Sequence, residues 1–135
     1  MNTIFSSEIK VRPDDIDMNN HVHNTKYLDY VQTARFEQMR DFYKMPMEEY
    51  HSKGLNWFAS LAHIEYKRAL KLNEIAIVKT QMGEVNGAQV TVNFWIENKS
   101  TKKTVAEGYI IYTLISISSG RPVRIPEEVI ERHSI

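Results

Sequence analysis

Glu8-Ile9-Lys10-Val11-Arg12 alternates polar and apolar residues, the period of a strand with one buried face, and Pro13 ends it. A polar segment rich in turn formers follows, from Asp14 to Asn20. The period then changes. From about His23 to Tyr43 the apolar residues Tyr27, Leu28, Tyr30, Val31, Ala34, Phe36, Met39, Phe42 and Tyr43 recur at spacings of three and four. That pattern predicts a helix of roughly five turns. Its apolar arc is wider than a surface helix needs, so burial on most sides is expected. Pro46 limits its far end. A short helical stretch is expected near Met47 to Lys53, and Gly54 opens a region of strands.

Four strands are predicted there. The first is Asn56 to Arg68 and the second Glu74 to Val85. Asn86-Gly87 is a two-residue hairpin signal, because both residues tolerate positive φ. In the third strand Val90, Val92, Phe94 and Ile96 alternate with Thr91, Asn93, Trp95 and Glu97. The fourth, Thr104 to Ser116, is apolar on both sides from Tyr109 to Ile115, which predicts that both its faces are covered. Ser118-Ser119-Gly120 turns the chain. A terminal helix then starts at Pro126-Glu127-Glu128, with proline early and acids in its first turn. One strand, one long helix and four strands joined by short turns make an α+β chain. An antiparallel sheet curled round a single central helix is the economical way to bury that arc.

Size and charge narrow the classes. The 135 residues fit one domain, 1–135, with no repeat, linker or low-complexity tract. Lysine plus arginine equals aspartate plus glutamate at 17 each, which opposes a nucleic-acid binder or a membrane patch working through bulk charge. No run approaches the roughly 20 apolar residues of a membrane span, and the first residues carry no secretory pattern. There is no cysteine, which removes disulfides, thiol nucleophiles and cysteine-ligated zinc. A cytoplasmic protein is expected.

The chemistry is concentrated in Asp14-Asp15-Ile16-Asp17-Met18-Asn19-Asn20-His21-Val22-His23-Asn24, which packs three carboxylates, three amides and two imidazoles just ahead of the helix. Asp15-x-Asp17-x-Asn19 has the look of a calcium loop. However, Asn20 stands where that loop needs glycine, and the cation Lys26 stands where it needs a bidentate glutamate. His21-x-His23 has no third metal ligand at a recognisable spacing. Taken alone, Asp17 reads first as a turn or capping residue.

The stretch from Val11 to Leu28, continuing to Ala34-Arg35, resembles the signature of hotdog-fold thioesterases of the 4-hydroxybenzoyl-CoA thioesterase-like superfamily. Its core is Asp17-x-Asn19-x-His21-Val22-x-Asn24-x-x-Tyr27. It is most similar to bacterial long-chain acyl-CoA thioesterases and to plant acyl-acyl-carrier-protein thioesterases. Ile64-Glu65-Tyr66-Lys67-Arg68 resembles the strand after the helix in those families. The resemblance implies a hotdog fold, a five- to six-stranded antiparallel sheet wrapped round one helix, and hydrolysis of acyl-CoA to free acid and coenzyme A.

By the same resemblance Asp17 is the catalytic carboxylate, acting as nucleophile or as general base. The backbone N–H at the start of the helix, around Asn24, polarises the carbonyl oxygen. Free N–H groups at a helix N-terminus suit such an oxyanion. Asn19 and His21 take supporting roles, in hydrogen bonding and in proton transfer or water orientation. The acid that the plant enzymes carry at the fifth position of their second motif falls at Ala69, so a full plant-type site is not expected. Lys67, Arg68 and Lys71 read as ligands for coenzyme A phosphates or as a solvated strand end. No cofactor is implied beyond the coenzyme A of the substrate. A homodimer or dimer of dimers is implied, with sites at subunit boundaries. Acyl-carrier-protein thioesters are the nearest alternative substrate. A non-catalytic acyl-binding module is the alternative of another class.

Overall fold

The computed structural model of the protein describes residues 2–135. Its strands are β1 (Ile4–Lys10), β2 (Leu55–Tyr66), β3 (Ile75–Asn86), β4 (Gln89–Asn98) and β5 (Thr104–Ser116). Its helices are α1 (Asn24–Asp41), α2 (Met47–Ser52) and α3 (Glu127–His133). The strands form one antiparallel sheet in the order β1-β3-β4-β5-β2. Among the described residues no helix is long and apolar enough to cross a membrane.

The inner face of the sheet is set by alternation. Val90, Val92, Phe94 and Ile96 of β4 are buried, as are Ala76 and Val78 of β3 and Ile110, Tyr112 and Leu114 of β5. α1 lies over this face and buries Tyr27, Tyr30, Val31, Ala34 and Met39. A polar bridge fixes its rotation. Gln38 is fully buried, donates to Ser7 Oγ of β1 at 3.1 Å and accepts from Thr80 Oγ1 of β3. A buried amide satisfied from two strands disfavours any other helix rotation, because turning would orphan it.

Four sequence expectations change in detail. β1 starts at Ile4 rather than Glu8 and ends at Lys10, because Ile4 to Ser7 pair in register with Gln81 to Val78. The hairpin turn is Gly87-Ala88, one residue beyond the Asn86-Gly87 expected. Asn86 already pairs with Gln89, and only Gly87 has positive φ. α1 is buried on one side rather than most sides. Phe36 and Phe42 widen its apolar arc in sequence but are 46% and 41% exposed. The outer face of β5 is only half covered, since Tyr109 is exposed and Ile111 intermediate.

The end of α1 shows why it stops ahead of Pro46. Lys44 adopts φ 60°, and the Met45 N–H returns to the Met39 carbonyl at 2.8 Å. A left-handed residue followed by a backbone N–H that returns to a carbonyl of the last turn is a common way for a helix to satisfy its final carbonyls.

Candidate active site

The acidic segment folds so that its three carboxylates do different things. Asp14 is exposed. Asp15 is buried, accepting from Tyr30 Oη at 2.8 Å and from the Arg12 N–H at 3.1 Å, with the Arg12 guanidinium at 3.5 Å. Burial alone would raise its pKa; the hydrogen bonds from Tyr30 and Arg12 outweigh that and hold it below the usual carboxylate value. Asp15 is therefore a structural anchor that ties the segment to Tyr30 of α1.

Asp17 begins a tight loop. Its N–H bonds to the His21 carbonyl at 2.8 Å, and the Asn20 N–H bonds back to the Asp17 carbonyl at 3.1 Å. Asn20 sits at φ 60°, a conformation that asparagine tolerates better than most residues. Its Oδ1 accepts from the Leu72 N–H at 3.0 Å, which pins the loop to the chain after β2. The Val22 N–H donates to the Leu70 carbonyl at 2.9 Å and completes that attachment.

Inside the loop, Asp17 Oδ1 accepts from the backbone N–H groups of Asn19 at 2.8 Å and His21 at 3.0 Å. The His21 bond is the main reason that the Asp17 pKa lies below the usual carboxylate value. Slight desolvation opposes it, while the Asn19 bond and the charges of His21 and His23 add to it. Both bonds fall on one oxygen, so Oδ2 is left as the more available of the two. Asn19 meets the carboxylate through its backbone, and its side chain is exposed.

α1 starts beside this loop. His23 is its N-cap and makes no side-chain cap bond, so no side chain occupies the N–H groups of the first turn. The Lys26 N–H is taken by the His23 carbonyl at 2.9 Å. Tyr66, at the end of β2, donates its hydroxyl to the Asn24 carbonyl at 3.1 Å and so ties the helix start to the second motif. Tyr27 accepts from the Leu70 N–H at 3.3 Å and packs edge-on to Tyr66, with ring centroids 5.5 Å apart.

These elements enclose an open cleft of about 480 Å³. Asp17, His21, His23 and Asn24 line one part, and Lys67, Arg68 and Ala69 another. Of the residues singled out in sequence, Asp17, His21, Asn24, Lys67 and Arg68 therefore share one cavity, and Asn19 stands behind it. Both cations are tethered. Lys67 pairs with Glu107 at 3.3 Å, and Arg68 donates to the Thr104 carbonyl at 2.9 Å. Ala69 lines the cleft at the position where the plant-type pattern would have an acid. Glu65 is not part of the lining and pairs with His63 at 3.4 Å. The roles of Tyr66 and His23 in the cleft are not apparent in the sequence, although Tyr66 lies within the second motif.

A five-stranded antiparallel sheet with one long helix laid across it is the hotdog fold, and solved structures share it closely. A hypothetical protein from Aquifex aeolicus superposes with a TM-score of 0.87 at 24% identity, over 96% of this chain and 98% of that one. The chain belongs to the thioesterase-like superfamily, whose family model matches residues 11–132. That family makes the protein a thioester hydrolase. Among curated relatives it is similar to the acyl-CoA thioesterase YbgC of Haemophilus influenzae. Identity there is 24% over 127 residues, covering 93% of this chain and 90% of the relative. It is also similar to the long-chain acyl-CoA thioesterase FadM of Escherichia coli. Identity there is 21% over 128 residues, covering 95% and 96%.

Proposed function

We propose that the protein hydrolyses acyl-CoA thioesters to the free acid and coenzyme A in the cleft beside the start of α1. The observation that carries this reading is a carboxylate, Asp17, held ionised by two backbone N–H groups, in one cavity with an uncapped helix N-terminus. The curated relatives named as acyl-CoA thioesterases support the same substrate class.

In this reading the substrate carbonyl oxygen points at the first-turn N–H groups around Asn24. They stabilise the negative charge that develops there, a contribution of ~3 kcal/mol for one preorganised donor. Asp17 Oδ2 then acts in one of two ways. It adds to the carbonyl carbon, expels the coenzyme A thiolate and leaves an anhydride that water cleaves. Alternatively it takes a proton from a water whose oxygen adds to the carbonyl, and the proton ends on the departing thiolate. Both routes consume one water and give one acid and one thiol. His21 lines the cleft and serves to orient water or pass the proton. Asn19 contributes through its N–H to Asp17. No metal or organic cofactor is called for.

Lys67 and Arg68, at the end of β2, bind coenzyme A phosphates. Thiol release from matched acyl-CoA and acyl-carrier-protein thioesters tests that choice of carrier. The expected result is higher kcat/KM on the CoA thioester; preference for the carrier protein would move the assignment to that substrate.

We also propose a homodimer formed through β2. This strand is at the sheet edge over twelve residues, contains neither lysine nor proline, and exposes Phe58 at 58% and Leu61 at 46%. Long edges without lysine or proline pair readily with another strand, and in β2 the bulge between Ala59 and Leu61 leaves residues on either side of it available to do so. Sedimentation at micromolar concentration is expected to give a dimer or a pair of dimers; a stable monomer would overturn this.

A further inference from the structure

Arg35 lies on the inner side of α1 and is 6% exposed. Its Nη1 is fully buried, and no acceptor among the described residues reaches it. None of the ion pairs among those residues includes it. The guanidinium carbon stands 5.6 Å from the centre of the Tyr43 ring. That contact supplies no acceptor for Nη1. Burying a cation without an anion is costly, so buried arginines are normally paired.

Arg35 also lines a cavity of about 60 Å³ between α1 and the sheet, distinct from the cleft around Asp17. Its walls are mostly apolar, with Phe36, Met39, Met47, Trp57 and Met82 among them, and hold no carboxylate. That volume exceeds what one water needs. The polar groups beside Arg35 do not supply an anion either. Tyr112 Oη donates to Gln32 Oε1 at 3.3 Å, which leaves the Gln32 amide as a further donor. The cavity is thus apolar along its sides and is lined by a buried cation whose Nη1 lacks an acceptor.

Both features lie on one helix. Asn24 is at its first residue and Arg35 eleven residues on, roughly 16 Å along the axis. An acyl group whose carbonyl sits at the helix start, extended along α1, would bring its far end to Arg35.

Resting on the proposed acyl-CoA hydrolysis, we propose that this cavity receives the distal end of the acyl group and that Arg35 binds a carboxylate there. The preferred substrates are then CoA monothioesters of dicarboxylic acids. The planar guanidinium fork matches a carboxylate, and apolar walls suit the methylene chain leading to it. A plain acyl chain leaves the cation unpaired, and a site built around such a donor discriminates against it.

The test compares dodecanedioyl-CoA with dodecanoyl-CoA, following thiol release by the wild-type protein, Arg35→Met and Arg35→Lys. Wild type is expected to favour the dicarboxylic thioester by about tenfold or more in kcat/KM, carried mainly by KM. Arg35→Met is expected to lose that preference and Arg35→Lys to keep part of it. The wild-type comparison stands even if a variant fails to fold. Equal or better use of dodecanoyl-CoA by wild type overturns the inference while leaving the proposed function intact, as does a preference that survives in Arg35→Met. If neither thioester is hydrolysed, the proposed function fails instead. Calorimetry with free dodecanedioate then decides the inference. Binding by wild type that is weaker in Arg35→Lys supports it, and no binding by wild type overturns it.

Discussion

Asp17→Asn is expected to lower kcat on acyl-CoA by ~100-fold or more, with KM changed little. The substitution keeps the side-chain size, and its carbonyl oxygen can still accept from the Asn19 and His21 N–H groups, so the loop from Asp17 to His21 should keep its shape. What it removes is the charge on the oxygen that neither bond occupies. An amide neither attacks a thioester carbonyl usefully nor takes a proton from water at neutral pH. Steady-state thiol release by the two proteins, with circular dichroism to show equal folding, is the check. Equal turnover would leave the enzyme in place and remove Asp17 from its chemistry.

The second large effect concerns the frame. Gly108→Ala is expected to lower the melting temperature by about 10 °C or more, or to prevent accumulation of folded protein, through a cost of more than about 4 kcal/mol. Gly108 pairs with Ile64 of β2 on one side and Phe94 of β4 on the other. A Cβ at this position would collide with the His63 carbonyl oxygen, with the carbonyl carbon at 2.8 Å and Ile64 Cα at 3.0 Å. All three are backbone atoms in a sheet, so relief requires β2 to move away from β5. Tyr66 ends that strand and Lys67, Arg68 and Ala69 follow it, so the cleft would lose one of its walls. Thermal melting followed by circular dichroism measures the loss. A shift within about 2 °C would mean that the two strands can separate locally at little cost.

Gly108 also marks a limit of sequence reading. A glycine inside an apolar strand has no pattern of its own, and its purpose depends on a strand more than forty residues away. The same holds for the three carboxylates ahead of α1. They look alike in sequence, yet Asp15 is buried against Tyr30 and Asp17 faces the cleft, and only the fold sorts them. Arg35 is the extreme case: the periodicity of the helix says nothing of this cation's surroundings, and only the fold shows it enclosed.

Where periodicity is strong the reading succeeds. The order of strands and helices follows from alternation in β4 and from three-and-four spacing in α1. It falters where pattern is absent, as at Ile4 to Ser7, whose place in β1 comes from pairing with β3. The union of residues 17–24 with residues 66–69 is likewise beyond periodicity. The two segments meet through Asn20 to Leu72, Val22 to Leu70 and Tyr66 to Asn24. The motif resemblance alone anticipates that they belong together.

The central claim is that this chain itself cleaves acyl-CoA. The most direct test is to follow free-thiol release by the purified wild-type protein across a series of acyl-CoA chain lengths. Sustained multiple turnover, with free acid and coenzyme A formed in equal amounts, is the predicted result. Tight binding of acyl-CoA with no thiol released from any CoA or carrier-protein thioester would contradict it and make the protein a carrier or sensor of acyl groups.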